Sequence, residues 1–307
     1  MKFARRLRWL LGVPLIIALA LGVGFWERPV RFFNEYTEMR MLLHGARSRT
    51  TVVEGYRMHY YVMGPSAGQV VVLVHGLGGR AEDWENLAPY LAKAGYHVYL
   101  PDLFGYGQSA RPDIFSYSIP DEAKAVVAFF DAVGLEKVDL GGWSMGGWIV
   151  QRVAADHPER VRKLMLFDSA GIYEQPKWDT GLFTPATPSQ LAQLNALLMP
   201  HPPKVPSFVA RDILRISKQD AWVIHRALAS MLTGRDATDA LLPRLKMPVL
   251  IVWGALDQIT PLDQGIKIHA LIPQSQLDVV AGCGHLAPRQ CAAQIGPKVV
   301  DFVGQQP

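Results

Sequence analysis

The chain has 307 residues, of which 50% are hydrophobic, and it carries a formal net charge of +4. This size and composition allow one large buried core, and an α/β domain of this length need not be divided in two. The positive excess equals the four charges of Lys2, Arg5, Arg6 and Arg8, so the rest of the chain lacks the basic field of a nucleic-acid-binding surface.

An uncharged apolar stretch follows these basic residues and runs for eighteen residues, from Trp9 to Trp26. That length is near the minimum for a helix that crosses about 30 Å of hydrocarbon, and a tryptophan stands at each end, where interfacial aromatic residues belong. The sequence therefore predicts an N-terminal transmembrane helix within residues 1–27, which would anchor the protein to a membrane.

A cleaved signal peptide is the alternative for this segment, because Ala18-Leu19-Ala20 has the small-x-small form of a cleavage site. Retention is favoured because the apolar run continues past Ala20 and is longer than a signal core requires. Both alternatives place the N-terminus in the cytoplasm and residue 28 onward outside it, in a periplasm if the organism has one, because positive charge precedes the apolar run.

Residues 28–50 are predicted to form an amphipathic juxtamembrane helix. Its apolar positions recur at helical spacing, with charged residues between them, and are Phe32, Phe33, Tyr36, Met39 and Leu43. Such a helix could lie among lipid head groups beside the anchor, or pair with a second copy of itself in a homodimer. It could equally fold against the rest of the chain.

From residue 51 onward, strand-like apolar runs alternate with helix-like runs, which predicts a mostly parallel central sheet flanked by helices. The helical patterns occur at about 83–94, 120–133, 145–156, 238–246, 261–271 and 289–303. Because the carboxyl ends of parallel strands share one edge of a sheet, polar motifs that follow these strands are candidates for one common site.

A glycine-rich turn, His75-Gly76-Leu77-Gly78-Gly79, follows the buried-strand run Val70–Val74. Gly76 and its neighbours allow a backbone N–H to point into the crevice at the sheet edge. The Leu77 N–H is therefore a predicted donor to an oxyanion, together with the Met145 N–H. His75 is expected to support this turn rather than to act as a base.

The most informative motif is Gly142-Trp143-Ser144-Met145-Gly146, which lies between a strand-like run and the start of a helical pattern. A serine on such a sharp turn is held in strained geometry with its hydroxyl pushed out of the sheet. Gly142 and Gly146 leave room for neighbours that a side chain would clash with. Ser144 is therefore the candidate nucleophile, provided that a base can accept its proton.

His285 and Asp257 are the candidate base and the candidate orienting acid. His285 follows the strand-like run Gln276–Val280, and Asp257 follows a strand-like run at 248–252. Ser144, Asp257 and His285 thus all lie at the carboxyl ends of predicted strands. Asp168, which follows another such run, is the rival to Asp257.

Two cysteines, Cys283 and Cys291, lie eight positions apart. Outside the cytoplasm they could form a disulfide that tethers the His285 loop to the following helix, or they could remain free thiols. No Cys-x-x-Cys, His-Glu-x-x-His or phosphate-binding glycine pattern occurs. No metal and no other cofactor is expected.

In these features the chain resembles the α/β-hydrolase superfamily. The match covers about residues 51–307, and the order Ser, Asp, His is the one that the family uses. The motifs that carry it are His75-Gly76, the run Asp102-Leu103-Phe104-Gly105-Tyr106-Gly107-Gln108-Ser109, the Ser144 turn, Asp257 and His285.

The resemblance implies an α/β-hydrolase core in two parts, residues 51–170 and 237–307, with a helical cap, or lid, at 171–236 between them. In this family an insertion at that position covers the nucleophile. Seven prolines between residues 176 and 206 predict that the cap consists of short helices. Its apolar residues could line a channel for an acyl chain or form the core of the cap itself.

The family chemistry implies a serine hydrolase that works through an acyl-enzyme without a cofactor. With its N-terminal membrane helix, the chain looks like the membrane-anchored monoacylglycerol lipases and bacterial membrane phospholipases A. The expected substrates are acyl esters of membrane-derived lipids, and the expected partner is the bilayer. The alternatives are a carboxylesterase, thioesterase or carbon–carbon hydrolase for small soluble substrates, and a non-catalytic binding protein.

Overall fold

The computed structural model describes residues 19–306, and an eight-stranded sheet lies at its centre. The strands are β1 (Arg47–Val53), β2 (Tyr56–Met63), β3 (Val70–Val74), β4 (His97–Pro101), β5 (Val138–Trp143), β6 (Val161–Phe167), β7 (Val249–Gly254) and β8 (Gln276–Val280). Their order across the sheet is β1-β2-β4-β3-β5-β6-β7-β8. β2 pairs antiparallel with both neighbours, and the other pairs are parallel. The predicted mostly parallel α/β sheet is confirmed.

Helices cover both faces of this sheet, and its central strands are largely buried. All six residues of β5 and all six of β7 are buried, as expected of parallel strands packed on both faces. The helices are α1 (Pro29–Leu43), α2 (Ala88–Lys93), α3 (Ile119–Ala132), α4 (Met145–Asp156), α5 (Pro188–Leu198), α6 (Ser207–Met231), α7 (Leu262–Leu271), α8 (Ala287–Gln290) and α9 (Ala292–Gly304). α3, α4 and α7 contribute to one core cluster, and α2 and α9 contribute to the other.

Two helices predicted from sequence patterns are shorter in the structure. Within 83–94, α2 begins only at Ala88, and Pro89 occupies its first turn, where a missing N–H costs nothing. The prediction of a helix at 238–246 was wrong, because this segment contains only the 3₁₀ turn Leu242–Arg244. Pro243 within it lacks an N–H and blocks a continuous α-helix.

The segment 171–236 contains α5 and α6, which pack on each other. The sequence predicted short helices here, yet α6 is a single helix of 25 residues. Its N-cap is Pro206, the last of the seven prolines. Because no proline follows in α6, nothing in its backbone interrupts the helix.

The N-terminal helices are tied to α6 through a buried carboxylate. Asp212 of α6 accepts a hydrogen bond from the backbone N–H of Val30 at 3.1 Å, and pairs with Arg215 at 2.7 Å. Beside this contact, the Trp26 ring stacks on Phe208 with their centroids 4.7 Å apart. The start of α1 and the start of α6 are therefore held together.

The predicted anchor lies mainly in residues 1–18, outside the described residues. Residues 19–27, which complete it, are helical. Between residues 19 and 306, no helix combines the length and the apolar character needed to cross a membrane.

The predicted juxtamembrane helix corresponds to α1. This helix packs against α6, and its outer face exposes apolar side chains. It buries Pro29, Thr37 and Met41. The exposed apolar side chains of this outer face are Phe33, Tyr36, Met39, Leu42 and Leu43. An exposed row of large apolar side chains is typical of a surface that meets a membrane or another protein.

Candidate active site

Ser144 lies on the turn between β5 and α4, where its φ of 56° and ψ of −120° place it in a strained backbone region. The flanking glycines make this turn possible. A Cβ on Gly146 would lie 2.4 Å from the carbonyl oxygens of Val74 and His75, and a Cβ on Gly142 would lie 2.2 Å from the Gly146 oxygen. Any side chain at either position would collide with backbone.

His285 lies within hydrogen-bond distance of both Ser144 and Asp257. Its Nε2 is 2.9 Å from Ser144 Oγ, and its Nδ1 is 2.8 Å from Asp257 Oδ2. The structure therefore brings the three predicted side chains together from three separate loops, and all three residues are buried. If Nδ1 carries the proton and donates it to the carboxylate, Nε2 is left as an acceptor for the serine proton, as a general base requires.

Asp257 is held in place by its own loop. Its Oδ1 accepts hydrogen bonds from the backbone N–H groups of Ile259 at 2.8 Å and Thr260 at 3.0 Å, and the Thr260 hydroxyl donates to Oδ2 at 2.8 Å. Thr260 was not among the site residues predicted from the sequence. Its signal was the Asp-x-x-Thr spacing, because an aspartate side chain in a turn accepts hydrogen bonds from residues just after it.

Asp168, the rival acid, lies at the end of β6 and is completely buried. Its Oδ1 accepts the Gly254 N–H at 2.7 Å, while its Oδ2 has no hydrogen-bond partner among residues 19–306. Burial raises the pKa of Asp168 well above the usual carboxyl range, and the nearby charge of Asp257 raises this pKa further. The neutral form of Asp168 is therefore favoured, and it is Asp257 that contacts the imidazole.

The turn after β3 passes beside Ser144. A Cβ on Gly76 would lie 3.1 Å from Ser144 Cβ, and Leu77 lines the space in front of the serine. Met145 is the first residue of α4, where backbone N–H groups lack partners within the helix. Between residues 19 and 306, no backbone–backbone hydrogen bond uses the amide of Leu77 or of Met145, so both remain available to an incoming oxygen atom.

His75 links this turn to the segment after β4. Its Nδ1 donates to the Gly76 carbonyl at 2.8 Å, and its Nε2 accepts the Leu103 N–H at 3.1 Å. Burial lowers the pKa of His75, which favours the neutral ring that this pattern of donor and acceptor requires. The side chain therefore has a structural place in the turn.

The loop that carries His285 is held by a hydrogen bond and by a disulfide. The Trp143 indole N–H donates to the His285 carbonyl oxygen at 2.8 Å. Cys283 and Cys291, whose pairing the sequence left open, form a disulfide with their Cα atoms 6.4 Å apart. The base therefore lies on a covalently closed loop.

Two cavities meet at Ser144. The first has a volume of about 320 Å³, and segment 171–236 supplies much of its wall. Its apolar lining residues are Leu77, Trp148, Ala170, Ile172, Trp178, Phe183, Leu228, Met231, Leu232 and Ile259, and its charged lining residues are Glu174, Lys177 and Asp257. This cavity suits an apolar chain.

The second cavity has a volume of about 630 Å³ and is more polar. His285 lines it, and so do Asp83, Asn86 and Arg289 on one side and residues of α5 on the other. Asp83 and Arg289 were not predicted from the sequence, because neither belongs to a motif and only the fold brings them together.

The chain matches the protein family described as alpha/beta hydrolase fold over residues 69–222 and 229–288. Two relatives are each 30% identical to it. One is Lipase 1 of Psychrobacter immobilis, with 87% of this chain and 85% of that protein covered. The other is 2-hydroxymuconate semialdehyde hydrolase of Pseudomonas sp. strain CF600, with 84% of this chain and 94% of that protein covered.

Among solved structures, a membrane phospholipase A described as a bacterial virulence factor is similar to this chain. The TM-score is 0.81 and the identity 25%, with 97% of this chain and 99% of that chain covered. The similar proteins thus share one fold, and their names differ in the substrate.

Proposed function

The chain belongs to the α/β-hydrolase family, and we propose that it is a membrane-anchored serine hydrolase that cleaves acyl esters of membrane-derived lipids. The observation that carries the proposal is the position of Ser144 Oγ, 2.9 Å from His285 Nε2 where an apolar cavity meets a polar one. An ester of a fatty acid with a polar alcohol has the same two-sided character. Lysophospholipids, phospholipids and monoacylglycerols are such esters.

In the proposed first step, Ser144 Oγ attacks the acyl carbonyl carbon while His285 Nε2 accepts its proton. Asp257 keeps the imidazole in the required tautomer and stabilises the imidazolium. The amides of Leu77 and Met145 donate to the oxyanion, and each such donor typically contributes roughly 3 kcal/mol of transition-state stabilisation. The bond to the alcohol oxygen then breaks, and His285 protonates that oxygen.

In the proposed second step, water replaces the alcohol. His285 accepts a proton from this water as it attacks the acyl-enzyme carbonyl, and the same two amides hold the oxyanion. Collapse of the intermediate releases the fatty acid and returns the proton to Ser144. The two steps use only these side chains, the two amides and water.

The relatives support a lipid substrate for this site. One is named a lipase, and the similar solved structure is that of a membrane phospholipase A. The likeness to the latter spans 97% of this chain, so it extends beyond the hydrolase core.

A panel of esters tests the proposal. We expect the protein to release fatty acid from lysophospholipid, diacyl phospholipid or monoacylglycerol in micelles and bilayers, and we expect Ser144→Ala to release almost none. Turnover of short p-nitrophenyl esters alone would replace the lipid hydrolase with an esterase for small molecules. Inactivity on the whole panel, with no labelling of Ser144 by a fluorophosphonate probe, would favour the binding protein.

A carbon–carbon hydrolase is the second candidate, because a relative of equal identity is named 2-hydroxymuconate semialdehyde hydrolase. That compound is the direct probe. Its Ser144-dependent consumption, without release of fatty acid from any lipid, would make this candidate the correct one.

We further propose that residues 1–27 anchor the protein with its catalytic domain outside the cytoplasm, and that α5 and α6 act as a lid over Ser144. The exposed outer face of α1, with Phe33 and Tyr36 about half exposed, supports contact with lipid or with a second copy in a homodimer. The site would then stay close to the bilayer that supplies its substrate.

Deleting residues 1–27 is expected to move the protein from the membrane pellet to the soluble fraction after ultracentrifugation, because the apolar stretch is removed. Retained hydrolysis of a short ester would show that the truncated chain is folded. Full-length Ser144→Ala, which keeps the stretch, should remain in the pellet. A truncated protein that still pellets would assign attachment to the outer face of α1 or to the lid.

A further inference from the structure

The two cavities differ in their contact with the proposed base. His285 is among the lining residues of the second cavity and not among those of the first. Because the base must hand its proton to the leaving oxygen, that oxygen lies on the His285 side of Ser144. The leaving alcohol therefore occupies the second cavity, and the acyl chain occupies the apolar first cavity.

Apart from His285, the second cavity is lined by one cation and one anion, Arg289 and Asp83. Arg289 Nη1 lies 3.3 Å from Asp83 Oδ1, the sole hydrogen bond of this guanidinium within residues 19–306. A guanidinium has five N–H donors in a planar fork. Most of this fork therefore remains available to a ligand in the cavity.

Both charged side chains are held at the cavity wall. The Arg289 backbone carbonyl accepts a hydrogen bond from Asn86 Nδ2 at 2.8 Å, and its guanidinium lies 5.7 Å from the centre of the Phe33 ring. Asp83 Oδ2 accepts the Arg80 N–H at 2.9 Å. The Arg289 side chain is 30% exposed and the Asp83 side chain 16% exposed, so water screens the two charges only in part.

A fixed pair of opposite charges complements a ligand that carries both signs close together. The pair attracts a neutral alcohol less strongly, and its carboxylate repels a ligand whose only charge is negative. A guanidinium fork matches the oxygen atoms of a phosphate, and a carboxylate matches an ammonium group.

We infer that the alcohol that leaves from the acyl carbon is a glycerol bearing a zwitterionic phosphodiester head group, with Arg289 at the phosphate and Asp83 at the ammonium. This inference rests on the proposed function and narrows its substrate class to lysophospholipids and related phospholipids. Monoacylglycerols, which lack the phosphate, are the poorer substrates.

The test compares three lipids with one acyl chain in mixed micelles of one composition: lysophosphatidylcholine, lysophosphatidylglycerol and monoacylglycerol. In Arg289→Gln, the ratio of kcat/KM for lysophosphatidylcholine to that for monoacylglycerol is expected to fall about tenfold, as for one charge-assisted contact. Arg289→Lys, which keeps the charge without the fork, should restore part of this ratio.

Asp83→Asn should act in the opposite sense on the anionic lipid. With the carboxylate gone, Arg289 is an uncompensated cation, so kcat/KM for lysophosphatidylglycerol should rise about threefold or more relative to that for lysophosphatidylcholine. Arg289→Gln and Asp83→Asn, at two side chains in contact in the fold, would then change head-group preference in different directions. Loss of folding cannot produce such opposite changes.

The matched control is Arg152→Gln. Arg152 of α4 is 31% exposed and pairs with Asp156, so it resembles Arg289 in exposure and partner but does not line either cavity. In Arg152→Gln, the ratios of kcat/KM among the three lipids should stay unchanged. Equal losses on all three lipids in Arg289→Gln, or no change in ratio, would overturn the inference while the proposed function stood. A wild-type protein that hydrolyses no lipid would overturn both.

Discussion

Replacing Ser144 by alanine is expected to lower kcat on the best lipid substrate by about 10⁵-fold, because no other group in the site can form the acyl-enzyme. KM should change little, since the two cavities that would bind the lipid remain. The measurement is the initial rate of fatty-acid release at saturating lipid. A rate within tenfold of wild type would remove Ser144 from the mechanism.

Comparing His285→Ala with the double variant Ser144→Ala/His285→Ala shows whether Ser144 and His285 act as a unit. If His285 serves only to take and return the proton of Ser144, the double variant should be no slower than either single variant. Losses that multiply in the double variant would mean that the two side chains act independently.

The chain offers a matched control for the serine itself. Ser48 Oγ lies 2.9 Å from His59 Nε2, and His59 Nδ1 lies 2.8 Å from Asp102 Oδ2, so these distances repeat those at Ser144. Ser48, however, lies on β1 without a strained turn, and it lines neither cavity at Ser144. Ser48→Ala should therefore leave kcat unchanged, which would show that the turn and its cavities, and not the distances alone, define the nucleophile.

Asp257→Asn is expected to lower kcat by about 10⁴-fold. An asparagine amide can donate to Nδ1 of His285, which favours the tautomer whose Nε2 carries the proton and cannot accept another. The backbone contacts of Ile259 and Thr260 can persist on the amide oxygen, so the loop should keep its shape. Burst and steady-state rates should show that both acylation and deacylation are slowed, because His285 accepts a proton in each step.

Asp168→Asn is the matched comparison at the rival position. Because the neutral carboxyl is already favoured there, the amide should lower kcat by less than about tenfold. If Asp257→Asn left kcat nearly intact while Asp168→Asn abolished it, the assignment of the acid would be wrong.

Asp168→Asn should also change how the free energy of unfolding depends on pH. The raised pKa of Asp168 in the folded chain means that folding retains a proton that the unfolded chain loses above about pH 4. Wild-type stability should therefore fall relative to Asp168→Asn as pH rises from 4 toward neutrality, and urea denaturation at several pH values would measure the difference.

The sequence was sufficient to place Ser144, Asp257 and His285 at one sheet edge, because each follows a strand-like run, and these runs are β5, β7 and β8 in the structure. Their common location then follows from parallel pairing, in which carboxyl ends coincide. The turn glycines were recognisable for a similar local reason, since backbone atoms occupy the space of any Cβ there.

Contacts between segments far apart in the chain could not be predicted from the sequence. Asp83 and Arg289 are 206 positions apart, and no periodicity links them. The length of α6 was underestimated because the prolines before it dominated the local pattern, and the cysteine pair was undecided because spacing does not reveal how close two Cα atoms come.

The disulfide between Cys283 and Cys291 encloses both His285 and Arg289, the proposed base and the proposed head-group contact. Such bonds form and persist in oxidising compartments. If the catalytic domain lies outside the cytoplasm, as proposed above, this ring closes only after export, and the loop that carries His285 and Arg289 gains its covalent support there.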